Sequence, residues 1–311
     1  MFNRIKFFLP VILIGCTVIL VMALQYTIAF ICFFLAFGIL FFLLFSKNIL
    51  EDEEEREPGF AGRTRIETGG EMYRVYFGDE LLLADEEIIR ILTKRFPYYS
   101  RLDDESKRKF RDRLKRFVAD KNFKIFGPNA FREMPVLISA AAIQLTFGLQ
   151  KFLMPHFSTI CIYPEEFMRL SPDICLLEGN VGGNVINLSW KHFLEGYELP
   201  EDGQNVGLHE MAHALYYQTF VSEESVDRNF KRAYEIFEQD ANKVYDREKT
   251  MKGGLYSAYA EKNFQEFWAE TVELFFEKPS ALRQAYPRLF ETIKDLLNQD
   301  PLTASSSTIR Q

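Results

Sequence analysis

Cysteine is scarce in this chain: there are four in 311 residues, and Cys16 and Cys32 lie in an apolar N-terminal stretch, leaving only Cys161 and Cys175 elsewhere. Two thiols exclude a disulfide framework and favour a reducing compartment; neither sits in a C-x-x-C pair, so both read as core thiols. An excess of positive charge is also missing. The formal charge is −7 and no basic stripe stands out from the mixed charges, which argues against a nucleic-acid binder. No internal repeat is visible. Histidine is as rare as cysteine, with four residues, and two of them fall within five positions of each other.

That pair organises the reading of the whole chain. Leu208-His209-Glu210-Met211-Ala212-His213-Ala214-Leu215 contains the H-E-x-x-H pattern. At about 100° per residue in an α-helix, Glu210 lies about 100° and His213 about 40° around from His209, so the three share one face. Leu208, Met211, Ala212 and Leu215 form the opposite, apolar face. Zinc takes neutral imidazoles and anionic groups in a roughly tetrahedral set, and a catalytic site keeps one position for water. His209 and His213 supply two ligands. Glu210 sits too close along the helix to join them and fits the role of the base that takes a proton from water. A third ligand must come from elsewhere.

Downstream, Glu266, Glu270, Glu273 and Glu277 recur at helical spacing. For Glu273 and Glu277 a solvated face is expected. Glu266 and Glu270 stand among Phe264, Phe267 and Trp268, where a carboxylate is expensive to bury without a cation. The motif, followed by a tyrosine and then a glutamate seven residues beyond it, resembles the gluzincin peptidases related to the Mlc titration factor A family and, more distantly, the catalytic domain of anthrax lethal factor. The resemblance extends from about Phe96 to about Pro287, through residues 96–99, 160–167, 185–190 and 202–206. It implies His209, His213 and Glu266 as zinc ligands, Glu210 as general base, Tyr259 as oxyanion donor, and Glu270 as a supporting or surface group. The chain departs from the family at Tyr216, where an aspartate is usual.

Residues 7–45 contain no charge. One straight helix of that length would measure about 58 Å against a bilayer core of about 30 Å. Gln25-Tyr26-Thr27 divides it into two apolar runs of 18 residues, which predicts a transmembrane helical hairpin over 1–48. Arg4, Lys6, Lys47, Arg56, Arg63 and Arg65 flank it and the turn is uncharged, so the positive-inside rule places both ends and the remaining chain in the cytoplasm, at the inner membrane. Residues 49–71 read as a flexible charged tether. A peptidase domain is expected over 72–300 and a disordered tail over 301–311.

Within the domain, a strand is expected at 72–77 and amphipathic helices at 85–96 and 103–120, the latter with a basic cluster of Arg108, Lys109, Arg111, Arg113, Lys115 and Arg116 read as a solvated face. Residues 135–149 read as a buried helix, and 159–163 and 184–188 as strands. The resemblance sets the second strand beside the active-site helix; an edge strand there can hold an extended peptide, which makes Asn187 and Ser189 candidate substrate-side residues, although plain sheet-surface positions are the preferred reading for both. His156 and His192 read as ordinary polar or packing histidines. Residues 223–247 form a further helix, Asn263 caps the helix of Glu266, and the last helix covers 286–298.

The fold class expected is therefore α+β and zincin-like, mostly helical, with a small mixed sheet beside the active-site helix and a membrane hairpin before it. The function expected is zinc-dependent hydrolysis of a peptide or protein substrate. The rival is a zinc-containing binding protein that sequesters a regulatory partner at the membrane without cutting it.

Overall fold

A computed structural model describes residues 63–66 (backbone), 72–169, 175–222, 227–251 and 253–303. By internal contacts the chain divides into two units, and nearly all described residues belong to the second, 53–65 with 70–311. The expected hairpin over 1–48 lies outside the described residues. Among those described, no helix is long and apolar enough to cross a membrane. Part of the stretch expected to be a tether is ordered, since Arg63–Ile66 forms a strand (β1).

The sheet is mixed and has six strands. β1, β2 (Met72–Phe77), β3 (Asn122–Phe126), β4 (Thr159–Tyr163), β8 (Val185–Ser189) and β7 (Gly179–Gly182) lie side by side in that order. β3, β4 and β8 run parallel, with Thr159 opposite Val185 and Tyr163 opposite Ser189, while β2 is antiparallel to β3 and β7 to β8. A separate hairpin of β5 (Phe167–Arg169) and β6 (Cys175–Leu177) leaves the sheet between β4 and β7. Val185–Ser189 is consequently an interior strand, and β7 is the edge beside the motif helix. This corrects the substrate-side expectation: Ser189 is fully buried and caps the following helix through His192 N–H at 3.5 Å, and the Asn187 amide donates to Asn180 O at 3.5 Å.

Ten α-helices surround the described part of the sheet: α1 (Asp85–Arg95), α2 (Pro97–Arg101), α3 (Asp104–Ala119), α4 (Glu133–Thr146), α5 (Trp190–Glu198), α6 (Val206–Phe220), α7 (Arg228–Glu248), α8 (Phe264–Glu277), α9 (Pro279–Ala285) and α10 (Pro287–Leu297). All but α1 and α4 begin at a capping side chain or a proline. The Asp103, Asn205, Asp227 and Asn263 side chains accept N–H groups of the first turns of α3, α6, α7 and α8, and proline opens α2, α9 and α10. α4 buries every residue after Glu133, which explains its continuous apolar composition. Its C-terminus is closed from outside: Arg113 donates to Thr146 O at 3.1 Å and Phe147 O at 3.0 Å. With Arg113 and Arg116 over the Phe152 ring and Lys109 over Phe147, the basic cluster of α3 is more than a solvated face, because half of it stitches α3 to the end of α4.

α6 and α8 pack against one another in the core, and one bond sets their register. Trp268 is fully buried, and its indole N–H donates to Ala212 O, inside the H-E-x-x-H turn, at 3.0 Å. Burying that ring is worth roughly 4–6 kcal/mol at 25 cal/mol per Å². Cys161 is buried in β4 as expected, whereas Cys175 is only half-buried on the hairpin; both are free thiols.

Candidate metal centre

The apolar face of α6 explains where its polar face points. Leu208, Met211 and Ala212 are fully buried, so the helix can turn His209, Glu210 and His213 only toward the gap between β7 and α8. α8 answers with Glu266 in its first turn, capped there by Asn263 Oδ1, which accepts from Gln265 N at 2.9 Å and Glu266 N at 3.0 Å. His209 Nε2, His213 Nε2 and Glu266 Oε2 then form a nearly equilateral triangle with edges of 3.0, 3.1 and 3.2 Å. They are a set of donors placed to share one ion. Bonds of about 2.0–2.1 Å in a tetrahedron imply edges of about 3.3 Å.

The protonation pattern fits a cation as well. His209 Nδ1 faces Glu273 Oε1 at 2.6 Å and carries its hydrogen there, so Nε2 is the atom turned to Glu266 and to the second imidazole. Burial would lower the His209 pKa, but Glu273 and Glu266 raise it well above the usual value: the site draws positive charge to this point, which a proton on Nε2 or a bound ion supplies. Burial would raise the Glu266 carboxyl, but the two imidazoles outweigh it and hold the pKa at about 2, so the group is anionic at neutral pH.

Glu210 lies beside this triangle. It is 5% exposed, and its Oε2 is buried with no hydrogen-bond partner among the described residues. Burial pushes its pKa up to about 7. Gly179 of β7 packs directly on it: a Cβ there would sit 2.5 Å from Glu210 Cγ and Oε1, so only glycine lets the edge strand pass this close. Tyr259 is 45% exposed on the loop before α8, its ring 6.2 Å from that of His209. The centre opens on both sides. One pocket of about 230 Å³ is lined by Val181, His213, Tyr216, Tyr217 and Glu266, the other is a cleft of about 850 Å³ bordered by Leu177, Glu178, His192, Ser257 and Glu270; Glu210 and Tyr259 border both.

With this geometry in hand, comparison decides the kinship: the model of a family described as glucose-regulated metallo-peptidase M90 matches residues 82–297. The chain belongs to the M90 metallo-peptidase family. An uncharacterized protein of the cyanobacterium Synechocystis sp. is 26% identical over 232 residues, 68% of this chain and 83% of that one. The span of the family model, 82–297, includes His209, Glu210, His213, Tyr259 and Glu266. Tyr216, the position departing from the Mlc-type pattern, leans against Phe220 and Tyr234 and lines the smaller pocket.

The four α8 carboxylates divide the labour differently from expectation. Glu273 and Glu277 are buried rather than solvated. Glu273 orients His209 and also accepts Asn205 N–H at 2.5 Å; Glu277 accepts the Asn205 side-chain amide at 2.9 Å, and Asn205 Oδ1 caps Leu208 N at 3.0 Å. The start of the motif helix is thus held by the end of α8. Glu270 does not touch a ligand. It accepts Ser257 N–H at 2.5 Å and Ser257 O–H at 2.8 Å, and Ser257 Oγ accepts Tyr259 N–H at 3.1 Å, so Glu270 braces the loop carrying Tyr259. Of the two histidines read as ordinary polar or packing residues, His192 is the polar one, ringed by Glu166, Glu178 and Glu195. His156 keeps the plain role, with Nε2 2.9 Å from Gly183 O and its ring against Phe157 and Tyr217.

Proposed function

We propose that this chain is a zinc-dependent peptidase held at the inner membrane by its N-terminal apolar residues, with the M90 domain in the cytoplasm. The observation that carries the hydrolytic reading is the triangle of His209, His213 and Glu266 donor atoms beside a buried carboxylate whose second oxygen has no partner. These three residues would hold the ion. When bound, zinc supplies Lewis acidity and brings the pKa of a coordinated water to about 7.

Glu210 takes the proton from the attacking water and returns it to the departing amine, a task suited to a carboxyl whose proton affinity burial has raised to about neutrality. Tyr259 reaches over the same space from its braced loop and donates its hydroxyl to the carbonyl oxygen as that atom becomes anionic. Glu273 keeps His209 in the tautomer that presents Nε2, and Gly179 keeps water away from one side of Glu210. The open cleft on both sides of the centre suits an extended peptide, and the exposed N–H and C=O groups of the β7 edge offer it main-chain pairing. The absence of charge in residues 7–45 and the basic flanks support the membrane attachment and its sidedness.

Incubating the zinc-loaded full-length protein with a peptide library tests the reading. Cleavage is expected in the wild type, abolished by chelator, reduced at least about 10³-fold in Glu210→Gln with zinc retained, and reduced less in Tyr259→Phe. Zinc binding with no cleavage of any peptide would instead favour the sequestering protein.

A further inference from the structure

The hairpin β5–β6 forms one wall of the larger cleft through Leu176 and Leu177, and it is held in an unusual way. Its strands pair only with each other, with Phe167 opposite Leu177 and Arg169 opposite Cys175. Met168 and Leu176, cross-strand partners, are 60% and 67% exposed. An isolated two-stranded hairpin is marginal in water, so its attachment at the base decides where it stands. The two feet are Glu166, immediately before β5, and Glu178, immediately after β6. Both converge on His192 of α5.

His192 Nε2 lies 2.6 Å from Glu166 Oε1 and His192 Nδ1 lies 2.8 Å from Glu195 Oε2, with Glu178 Oε1 3.8 Å from Nδ1. A carboxylate only accepts, and a neutral imidazole has one N–H. Nε2 is hydrogen-bonded to Glu166, and the two carboxylates beside Nδ1 favour a hydrogen on that nitrogen as well, which makes the ring an imidazolium. Among the described residues the one side-chain cation paired with the cluster is Lys191, 3.7 Å from Glu166. The ring is 16% exposed and Glu166 31%, so that pair is the best shielded, whereas Glu178 and Glu195 are 60% and 53% exposed. One residue beyond the second foot, Gly179 packs on Glu210.

We propose that His192, as an imidazolium, is a positioning residue of this enzyme: it pins both feet of the β5–β6 hairpin to α5 and so seats the cleft wall and Gly179 against the catalytic base. Burial by itself would lower the His192 pKa, but Glu166, Glu178 and Glu195 together raise it above the usual value. The sign follows. A histidine with a raised folded-state pKa holds its contribution below about pH 6.5 and gives it up as pH climbs through the raised value, so the wall is seated on the acid side of that titration and loosens on the alkaline side.

The catalytic arm of this inference rests on the peptidase reading, whereas its structural arm does not, and amide hydrogen exchange of the inactive Glu210→Gln protein reads the structural arm alone. After correction for intrinsic exchange, amides of β5, β6 and 179–182 are expected to exchange at least tenfold faster at pH 9 than at pH 6. Adding His192→Gln is expected to give the fast rate at both pH values, and His192→Lys, which restores a cation, to recover part of the protection at both. Glu166→Gln, which leaves the imidazole in place, guards against a fold defect in the histidine variants and is expected to loosen the same amides. The histidine's own titration by NMR must lie above the free value. Equal protection in wild-type and His192→Gln background at pH 6, or a His192 pKa at or below the free value, overturns the proposal. In the active enzyme the same substitution is expected to remove the matching alkaline step from the kcat/KM profile; a step that persists unchanged would overturn the catalytic arm even with exchange altered.

Discussion

Replacing Glu273 by glutamine removes one negative charge and nothing of the side chain's length. Its two oxygens hold two donors, His209 Nδ1–H at 2.6 Å and Asn205 N–H at 2.5 Å. A glutamine has one acceptor oxygen, so its amide nitrogen must face one of these donors and that bond is lost. The bond that remains is no longer charge-assisted. Charged hydrogen bonds contribute about 1.5–3 kcal/mol and neutral ones about 0.5–1.5. The ligand His209 is thereby less basic and less well oriented by about 1–2 kcal/mol, which at about 1.4 kcal/mol per factor of ten is roughly 5- to 30-fold in zinc affinity. That overlaps the lower part of the roughly 10- to 100-fold range for partners of metal-bound histidines. Competition against a zinc-sensitive chelator at pH 7 measures it directly. Glu270→Gln is the matched control, because that carboxylate grips Ser257 and not a ligand; its zinc affinity is expected to stay within about twofold. A Glu273→Gln protein with wild-type affinity, or a Glu270→Gln protein weakened as much, would refute the reasoning.

Three further outcomes follow from the packing. Gly179→Ala drives a methyl into Glu210 and is expected to lower kcat at least about tenfold while leaving zinc content intact, as read by kinetics with metal analysis. Glu277 has its pKa raised to about 8 by burial, so the stability it contributes is present below the unfolded value and lost as pH rises toward 8; thermal unfolding is expected to show a Tm falling across that window in the wild type and a flatter profile in Glu277→Gln. Trp268→Phe gives up the bond to Ala212 and leaves a void between α6 and α8, worth about 2–3 kcal/mol in denaturant unfolding, with zinc affinity falling as the two ligand helices lose their register.

What the sequence made legible tracks how local the signal is. The H-E-x-x-H face, the Asn263 cap and the apolar run of α4 are each written within one or two helical turns, and the structure places them accordingly. The third donor lies 53 residues beyond His213, and resemblance rather than periodicity pointed to it. Glu273 and Glu277 were misjudged because helical spacing marks a common face without saying what that face meets; here it meets the N-terminus of another helix and a ligand ring. The edge strand Gly179-Asn180-Val181-Gly182 was missed since two glycines give it little strand character, yet the first glycine is what lets the strand approach Glu210. His192 could not be read ahead for a related reason: two of its three acidic partners sit on the feet of a hairpin that only the fold brings to α5.

The central claim is that two imidazoles of α6 and one carboxylate of α8 share a single divalent ion. Metal analysis of the purified full-length protein, beside His213→Ala and Glu266→Gln, tests it most directly. One zinc per chain in the wild type and loss of stoichiometric zinc in each variant is the expected result; a wild type that binds no metal, or variants that retain it fully, would contradict the account.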